Sequence, residues 1–228
     1  MKLLALDTAA NLCSVAVLDV ESGTILAASS EDIGKGHAER LMATIEQVAA
    51  AAQISITDIG KIAVSIGPGS FTGVRVGVST ARGFALALKC PAVGISTLQA
   101  LAYDAAKQFS HRPILSIIDA RRDELYAQFF GENGSAASEP VVTTLHSIVK
   151  QLEERGSEHV LAGSGAILIE KELGRPLDIA ANTATGSIEA FARLGALRRD
   201  GEAPRPLYLR GLDVKQQQGF VLKRKVVE

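Results

Sequence analysis

Leu3-Leu4-Ala5-Leu6-Asp7-Thr8-Ala9-Ala10-Asn11 opens the regular structure of this chain, and Ile114-Leu115-Ser116-Ile117-Ile118-Asp119 repeats its plan at the start of the second half. Each is a compact apolar run that closes on Asp and passes into turn-forming residues, the pattern of a buried strand feeding a hairpin. Working outward from the first run, Cys13 to Val20 reads as a second strand, Ser22-Gly23 as a turn, and Thr24 to Ser30 as a third strand. From His37 to Ala52 the residues Ala38, Leu41, Met42, Ile45, Val48, Ala49 and Ala52 recur at three- and four-residue steps, which predicts an amphipathic helix. A strand over Ile62 to Ile66, a break at Gly67-Pro68-Gly69-Ser70, a helix from about Thr72 to Lys89, a strand over Ala92 to Ile95 and a helix over Leu98 to Gln108 complete the first half. After the second Asp-terminated run come a turn at Ala120 to Arg122 and an alternating strand, Glu124 to Phe130. A strand near Val141, a helix over Leu145 to Glu154, a strand over His159 to Ala162 and a helix over Ser187 to Arg199 follow. From Gly201 onward, Ala203-Pro204-Arg205-Pro206 and the polar Gln216 to Gln218 suggest a tail laid over the surface.

Three strands, a helix, a strand and a helix, begun twice with Asp at the end of the first strand, point to an α/β chain of two lobes. The order is that of the duplicated ribonuclease-H-like architecture shared by actin, Hsp70 and sugar kinases, the ASKHA plan. The expected division is 1–110 for an N-terminal lobe and 111–228 for a smaller C-terminal lobe with a tail. A single undivided α/β domain is the alternative.

The 228 residues are 47% hydrophobic and 21% charged, with 4% aromatic residues and no Trp, so the core is aliphatic. A formal net charge of −1 supplies no global positive field to hold tRNA or DNA by counterion release. Lys223-Arg224-Lys225 reads as a solvated tail. Cys13 and Cys90 share no metal-type spacing and read as reduced, buried thiols of a cytoplasmic protein. The start is too short in apolar residues for a signal peptide, and no later run is long enough to span a membrane.

Asp7 and Thr8 sit where proteins of this architecture bring a hairpin turn to nucleotide phosphate; an Asx-turn former is the plainer reading of Asp7. The second-half equivalent, Asp119-Ala120-Arg121-Arg122, lacks the glycines that would let backbone close on phosphates, which argues against a competent kinase or ATPase cleft. The run Gly67 to Gly77 is rich in glycine but satisfies neither the Walker nor the dinucleotide pattern. Gly77 and Gly83 each cost their helix about 1 kcal/mol relative to Ala, which calls for close backbone contact. Gly73, Gly77, Thr80, Gly83 and Ala87 are expected along one face of that helix, and Val74, Val78, Ala81, Ala85 and Leu88 along another. One face covers the sheet; the other, with the helix starting at His37, would present an apolar patch to another chain, flanked by Arg75, Arg82 and Lys89, the alternatives being that both helices are internal and that the three basic residues form a plain solvated stripe.

Leu4-Ala5-Leu6-Asp7-Thr8, His37-Ala38-Glu39-Arg40-Leu41, Gly67 to Gly77 with Ala81-Arg82-Gly83, and Pro206-Leu207-Tyr208-Leu209-Arg210 together resemble the TsaB (YeaZ) family. The resemblance implies a non-catalytic subunit that pairs with a TsaD-type catalytic subunit, with a TsaE-type ATPase joining the assembly. The complex would transfer threonylcarbamoyl to the adenosine 3′ of the anticodon in ANN-decoding tRNAs, the RNA being met only through the complex. It implies partner contacts at His37, Leu41, Ile45, Gly69, Phe71, Thr72, Arg75, Gly77, Val78, Ala81, Arg82 and Ala85, and no catalytic residue. No cofactor of its own is expected; ATP or ADP would touch the chain only at the subunit junction, near Asp7 and Thr8. The catalytic relative carries a metal-binding His-x-x-x-His on the equivalent helix; here Leu41 follows His37 at that spacing, so no metal site is expected. Two copies could pair through the same helices. The competing class is an enzyme, either a stand-alone peptidase or an ASKHA phosphotransferase; no G-x-S-x-G elbow and no glycine turn in the second half supply one.

Overall fold

Both Asp-terminated runs are central strands of separate sheets in the computed structural model, which describes residues 1–156 and 158–210. Gln216 to Gln218 and Lys223-Arg224-Lys225 lie outside the described residues. The first half runs β1 (Lys2–Asp7), β2 (Leu12–Asp19), β3 (Thr24–Asp32), α1 (His37–Ala51), a 3-10 turn (Ile56–Asp58), β4 (Ile59–Ser65), α2 (Phe71–Leu88), β5 (Ala92–Ile95) and α3 (Thr97–Gln108). The second runs β6 (Ile114–Arg121), β7 (Glu124–Phe130), β8 (Val141–Thr144), α4 (Leu145–Arg155), β9 (Val160–Ala162), α5 (Ala166–Leu173), β10 (Ile179–Ala181) and α6 (Ile188–Leu197). Strand order is β3-β2-β1-β4-β5 in one sheet and, read from its other edge, β8-β7-β6-β9-β10 in the other. In each, the first three strands form an antiparallel meander and the last two join parallel to the first. The duplication is complete, element for element.

β1 reads as an unbroken apolar run because both faces of its sheet are covered. Leu4 and Leu6 pack with Leu41, Ile45 and Val48 of α1 and Val74, Val78 and Ala81 of α2. Leu3 and Ala5, on the opposite face, pack with Ile188, Phe191 and Ala192 of α6. Residues i and i+2 of a strand share a face, so the alternation assigns each leucine its layer. β3, at the sheet edge, is largely exposed and carries Ser29, Ser30, Glu31 and Asp32, which blunt further strand pairing.

Helix starts follow the capping rules: the hydroxyls of Ser70, Thr144 and Ser187 accept the backbone N–H of Gly73, Ser147 and Ala190. α2 ends at Lys89, which takes the left-handed conformation at φ 52°. α5 and β10 have no counterpart in the sequence reading: two turns of helix and a three-residue strand between glycines are too short for periodicity to register.

Packing crosses the chain's midpoint. α3, from the first half, lays Leu98, Leu101, Ala102 and Ala105 against Ile114, Ile118 and Val160 of the second sheet. α6, from the second half, returns to the first sheet. The Lys61 ammonium adds a tie, donating to Arg198 O at 2.5 Å and pairing with Asp200 at 3.0 Å. Position 110/111 is thus a link in the chain between α3 and β6, with helices exchanged across it.

Candidate functional site

The β1–β2 turn is the place where a phosphate contact was expected, and its two polar side chains are consumed internally. Asp7 is 1% exposed; its Oδ1 accepts the Ala9 N–H at 2.9 Å and its Oδ2 accepts the Thr185 hydroxyl at 2.8 Å. Burial pushes the Asp7 carboxyl above the usual carboxylate range, its hydrogen bonds pulling the other way. Thr8 is fully buried and its hydroxyl donates to Gly73 O at 2.7 Å. Neither side chain reaches the surface: one ties the turn to the segment before α6 and the other ties it to α2.

The glycine run is the seat of that turn. A Cβ at Gly73 would stand 2.0 Å from Thr8 O, one at Gly77 2.5 Å from Thr8 Oγ1, and one at Gly69 2.3 Å from Ala9 O. Ser70 N–H closes the contact on Ala9 O at 2.7 Å. Gly83 differs: among the described residues nothing packs within 4 Å of the position its Cβ would take. The small residues of α2 thus do not form one face. Gly73 and Gly77 turn inward onto Thr8, whereas Gly83 and Ala87 are exposed.

This division sorts the expected partner contacts. Leu41, Ile45, Val78 and Ala81 are 1%, 0%, 3% and 0% exposed in the core beneath α1 and α2, and Gly77 is buried against Thr8. These are core positions, the apolar residues at three- and four-residue steps being the ones the sheet needs. His37 is buried as well, its Nε2 3.2 Å from Leu12 O, and Gly69 rests on Ala9. Ala85 is half-buried against the same core. Phe71, Thr72, Arg75 and Arg82 are exposed. The sequence reading missed Ser79 and Leu86, which share their outward arc, and counted Met42 among the inward residues of α1, where it is 46% exposed. Leu86, at 83% exposed, is the most exposed large apolar side chain among the described residues. A helical wheel anchored on Arg75 and Arg82 would have found it.

Between the lobes lies a cleft of about 690 Å³, bordered by Asn11, Lys35, Ser70, Asp119, Tyr126 and Arg210 among others. Its far side is the β6–β7 turn, where Arg121, Arg122 and Asp123 hold φ of 63°, 57° and 60°, left-handed conformations without a glycine. The chain after α6 crosses this cleft. Leu207 N–H donates to Ile66 O at 2.8 Å, and Arg210 donates to Ala120 O and Arg121 O at 3.0 Å and pairs with Glu124. Tyr208 meets the start of α2: its hydroxyl accepts from Arg75 Nε at 2.7 Å and its ring centroid is 5.7 Å from that of Phe71. Nothing in the local sequence around Tyr208 announces this contact. Among the described residues, no three His, Cys, Asp or Glu side chains gather in one place, and no helix is long and apolar enough to cross a membrane.

A protein-family model described as TsaD, tRNA N6-adenosine threonylcarbamoyltransferase, matches residues 29–184. The tRNA threonylcarbamoyladenosine biosynthesis protein TsaB of Escherichia coli K12 is 34% identical over 72% of this chain and 72% of its own length. The chain belongs to the TsaB (YeaZ) family. The TsaB of Buchnera aphidicola from Schizaphis graminum is 29% identical, over 75% of this chain and 81% of its own. The solved structure of YeaZ from Pseudomonas aeruginosa is 30% identical with a TM-score of 0.76, covering 91% of this chain and 99% of that one. A second Pseudomonas aeruginosa structure, described as an uncharacterized protein similar to peptidase YEAZ, superposes with a TM-score of 0.80 at 30% identity over 92% and 99% of the two chains. The chain repeats one strand order in two sheets, and the TsaD model's match includes both α1 and α2.

Proposed function

We propose that this chain serves tRNA threonylcarbamoyladenosine biosynthesis as a non-catalytic, cytoplasmic subunit that docks a TsaD-type catalytic subunit on the outward arc of α2 with the exposed side of α1. A TsaE-type ATPase joins the pair, and the assembly modifies the adenosine 3′ of the anticodon in ANN-decoding tRNAs. Transfer belongs to the TsaD-type partner and ATP turnover to the TsaE-type one, which leaves this chain no cofactor of its own and no direct hold on tRNA.

The observation that carries this reading is the outward arc of α2. Gly83 costs the helix about 1 kcal/mol and no atom of the described residues packs against its Cβ position, while Leu86 beside it is 83% exposed. An approaching backbone explains the glycine and a buried interface explains the leucine. The alternatives find no such support. A phosphotransferase needs groups free to meet phosphate, and Asp7 and Thr8 are sealed. A peptidase needs a base beside a nucleophile, and His37 and His159 each bond a backbone carbonyl, Leu12 O and Gly156 O, at 3.2 and 3.1 Å.

Reconstitution tests the reading. The chain alone is expected neither to transfer threonylcarbamoyl nor to hydrolyse ATP, and to restore modification when mixed with its TsaD- and TsaE-type partners and tRNA. Leu86→Asp is expected to leave the fold intact and abolish docking. A complex that assembles normally with Leu86→Asp, or a lone chain that modifies tRNA, refutes it. Ala81 is unsuitable for such a test, being wholly buried.

A further inference from the structure

Arg75, on the docking arc, has its posture set from outside its helix as well as from within it. Its guanidinium carbon lies 3.6 Å from the Phe71 ring centroid and 5.6 Å from that of Tyr208, and Nε donates to the Tyr208 hydroxyl at 2.7 Å. Among the described residues no carboxylate stands within ion-pair reach of it. An exposed arginine on a helix ordinarily samples many rotamers. This one has its planar face laid on an aromatic ring and one donor engaged, leaving the two terminal nitrogens as a fork. A shallow depression of about 320 Å³ lined by Phe71, Thr72, Arg75, Val76 and Ser79 adjoins it.

We infer that Tyr208, with Phe71, holds Arg75 as a preformed receptor for a carboxylate side chain of the docking subunit, so that the segment after α6 is part of the partner surface. This inference rests on the docking reading above and names the chemistry it takes at one point. A carboxylate matches the fork bidentately, and the depression beside it is walled by a phenyl ring and a valine, the surroundings of an interface anchor. An RNA phosphate fits less well, since the protein's net charge of −1 offers no field to bring a polyanion there. Tyr208 acts through Arg75 and is a positioning residue. Its own place is fixed by its neighbours: Leu207 is bonded to Ile66 O, and Arg210 to the β6–β7 turn. The receptor therefore depends on both lobes being in register.

Binding kinetics of the full chain to its TsaD-type subunit separate the roles. Arg75→Gln removes the charge and is expected to slow association, to flatten its salt dependence and to weaken affinity by about tenfold or more, as for an interface hot spot. Tyr208→Ala leaves the charge in place, so the association rate and its salt dependence should hold while dissociation quickens roughly tenfold. Tyr208→Phe keeps the ring, loses the acceptor and should fall between; an unchanged thermal midpoint in that variant keeps the result interpretable if Tyr208→Ala proves unstable. Leu86→Asp is the reference. If it abolishes docking while the Arg75 and Tyr208 variants bind like the parent, the receptor is overturned and the docking reading stands. If none of the variants alters docking, the docking reading itself fails. Docking unchanged in Arg75→Gln, with tRNA binding by the assembled complex reduced, overturns the carboxylate in favour of RNA.

Discussion

Replacing the glycines of α2 one at a time by alanine should move stability in opposite directions, although the helix and the substitution are the same. Alanine relieves the helix of about 1 kcal/mol at either position. At Gly83 none of the described residues packs within 4 Å of the new methyl, so the gain is realised in full; the thermal midpoint should rise by roughly 2–4 °C for a chain of this size. At Gly73 the methyl would stand 2.0 Å from the Thr8 carbonyl oxygen, backbone against backbone. Helix and turn must part, at an overpacking cost of about 1–3 kcal/mol, and the 2.7 Å bond from the Thr8 hydroxyl to Gly73 O is lost for about 1 kcal/mol more. Set against the helix gain, Gly73→Ala should come out destabilised by roughly 1–3 kcal/mol. Gly77→Ala meets a rotatable hydroxyl, Thr8 Oγ1 at 2.5 Å, and should be the milder case; adding Thr8→Ala should recover part of its loss, a coupling a double-mutant cycle reads directly. Urea unfolding followed by circular dichroism is the assay, with midpoints for Gly73→Ala and Gly83→Ala on opposite sides of the parent. A Gly73→Ala protein as stable as the parent, or a destabilised Gly83→Ala, refutes the assignment of inward and outward glycines.

The raised pKa of Asp7 gives a signed pH effect. Its folded pKa lies above the unfolded one, so the folded state binds the proton more tightly. The carboxylate then costs stability at neutral pH, and the cost fades as pH falls through the folded pKa. Asp7→Asn should therefore be neutral or stabilising at pH 7, with its advantage over the parent shrinking in acid; an advantage that grows on acidification contradicts the burial argument. Arg210→Gln should loosen the β6–β7 turn by releasing Ala120 O, Arg121 O and Glu124, and trypsin should cut after Arg121 or Arg122 about tenfold faster, as expected for losing charged hydrogen bonds. Equal cutting rates would show that the turn holds itself.

The fold was legible to an unusual depth. Leu3 to Asp7 and Ile114 to Asp119 are strongly patterned, the breaks at Gly67 to Ser70 and Ser22-Gly23 are chemical, and the repeated order leaves little freedom of topology. α5 and β10 escaped because short elements between glycines carry no period. The candidate site was legible only in part. Periodicity marks the apolar arc of a helix, and the sheet claims that arc first; Leu41, Ile45, Val78 and Ala81 accordingly lie in the core. The outward residues Ser79 and Leu86 break no pattern and so gave no signal.

What the chain's own order of residues determined is the doubled αβ plan, because hydrophobic alternation, turn residues and caps act within a few positions of one another. Which glycine faces Thr8 and which faces outward, that Asp7 is spent on Thr185, and that Tyr208 crosses the cleft to settle on Phe71 and Arg75 were decided by the tertiary structure alone. Those contacts join residues far apart in sequence. Their geometry depends on how two lobes and an exchanged pair of helices pack, which no local pattern encodes.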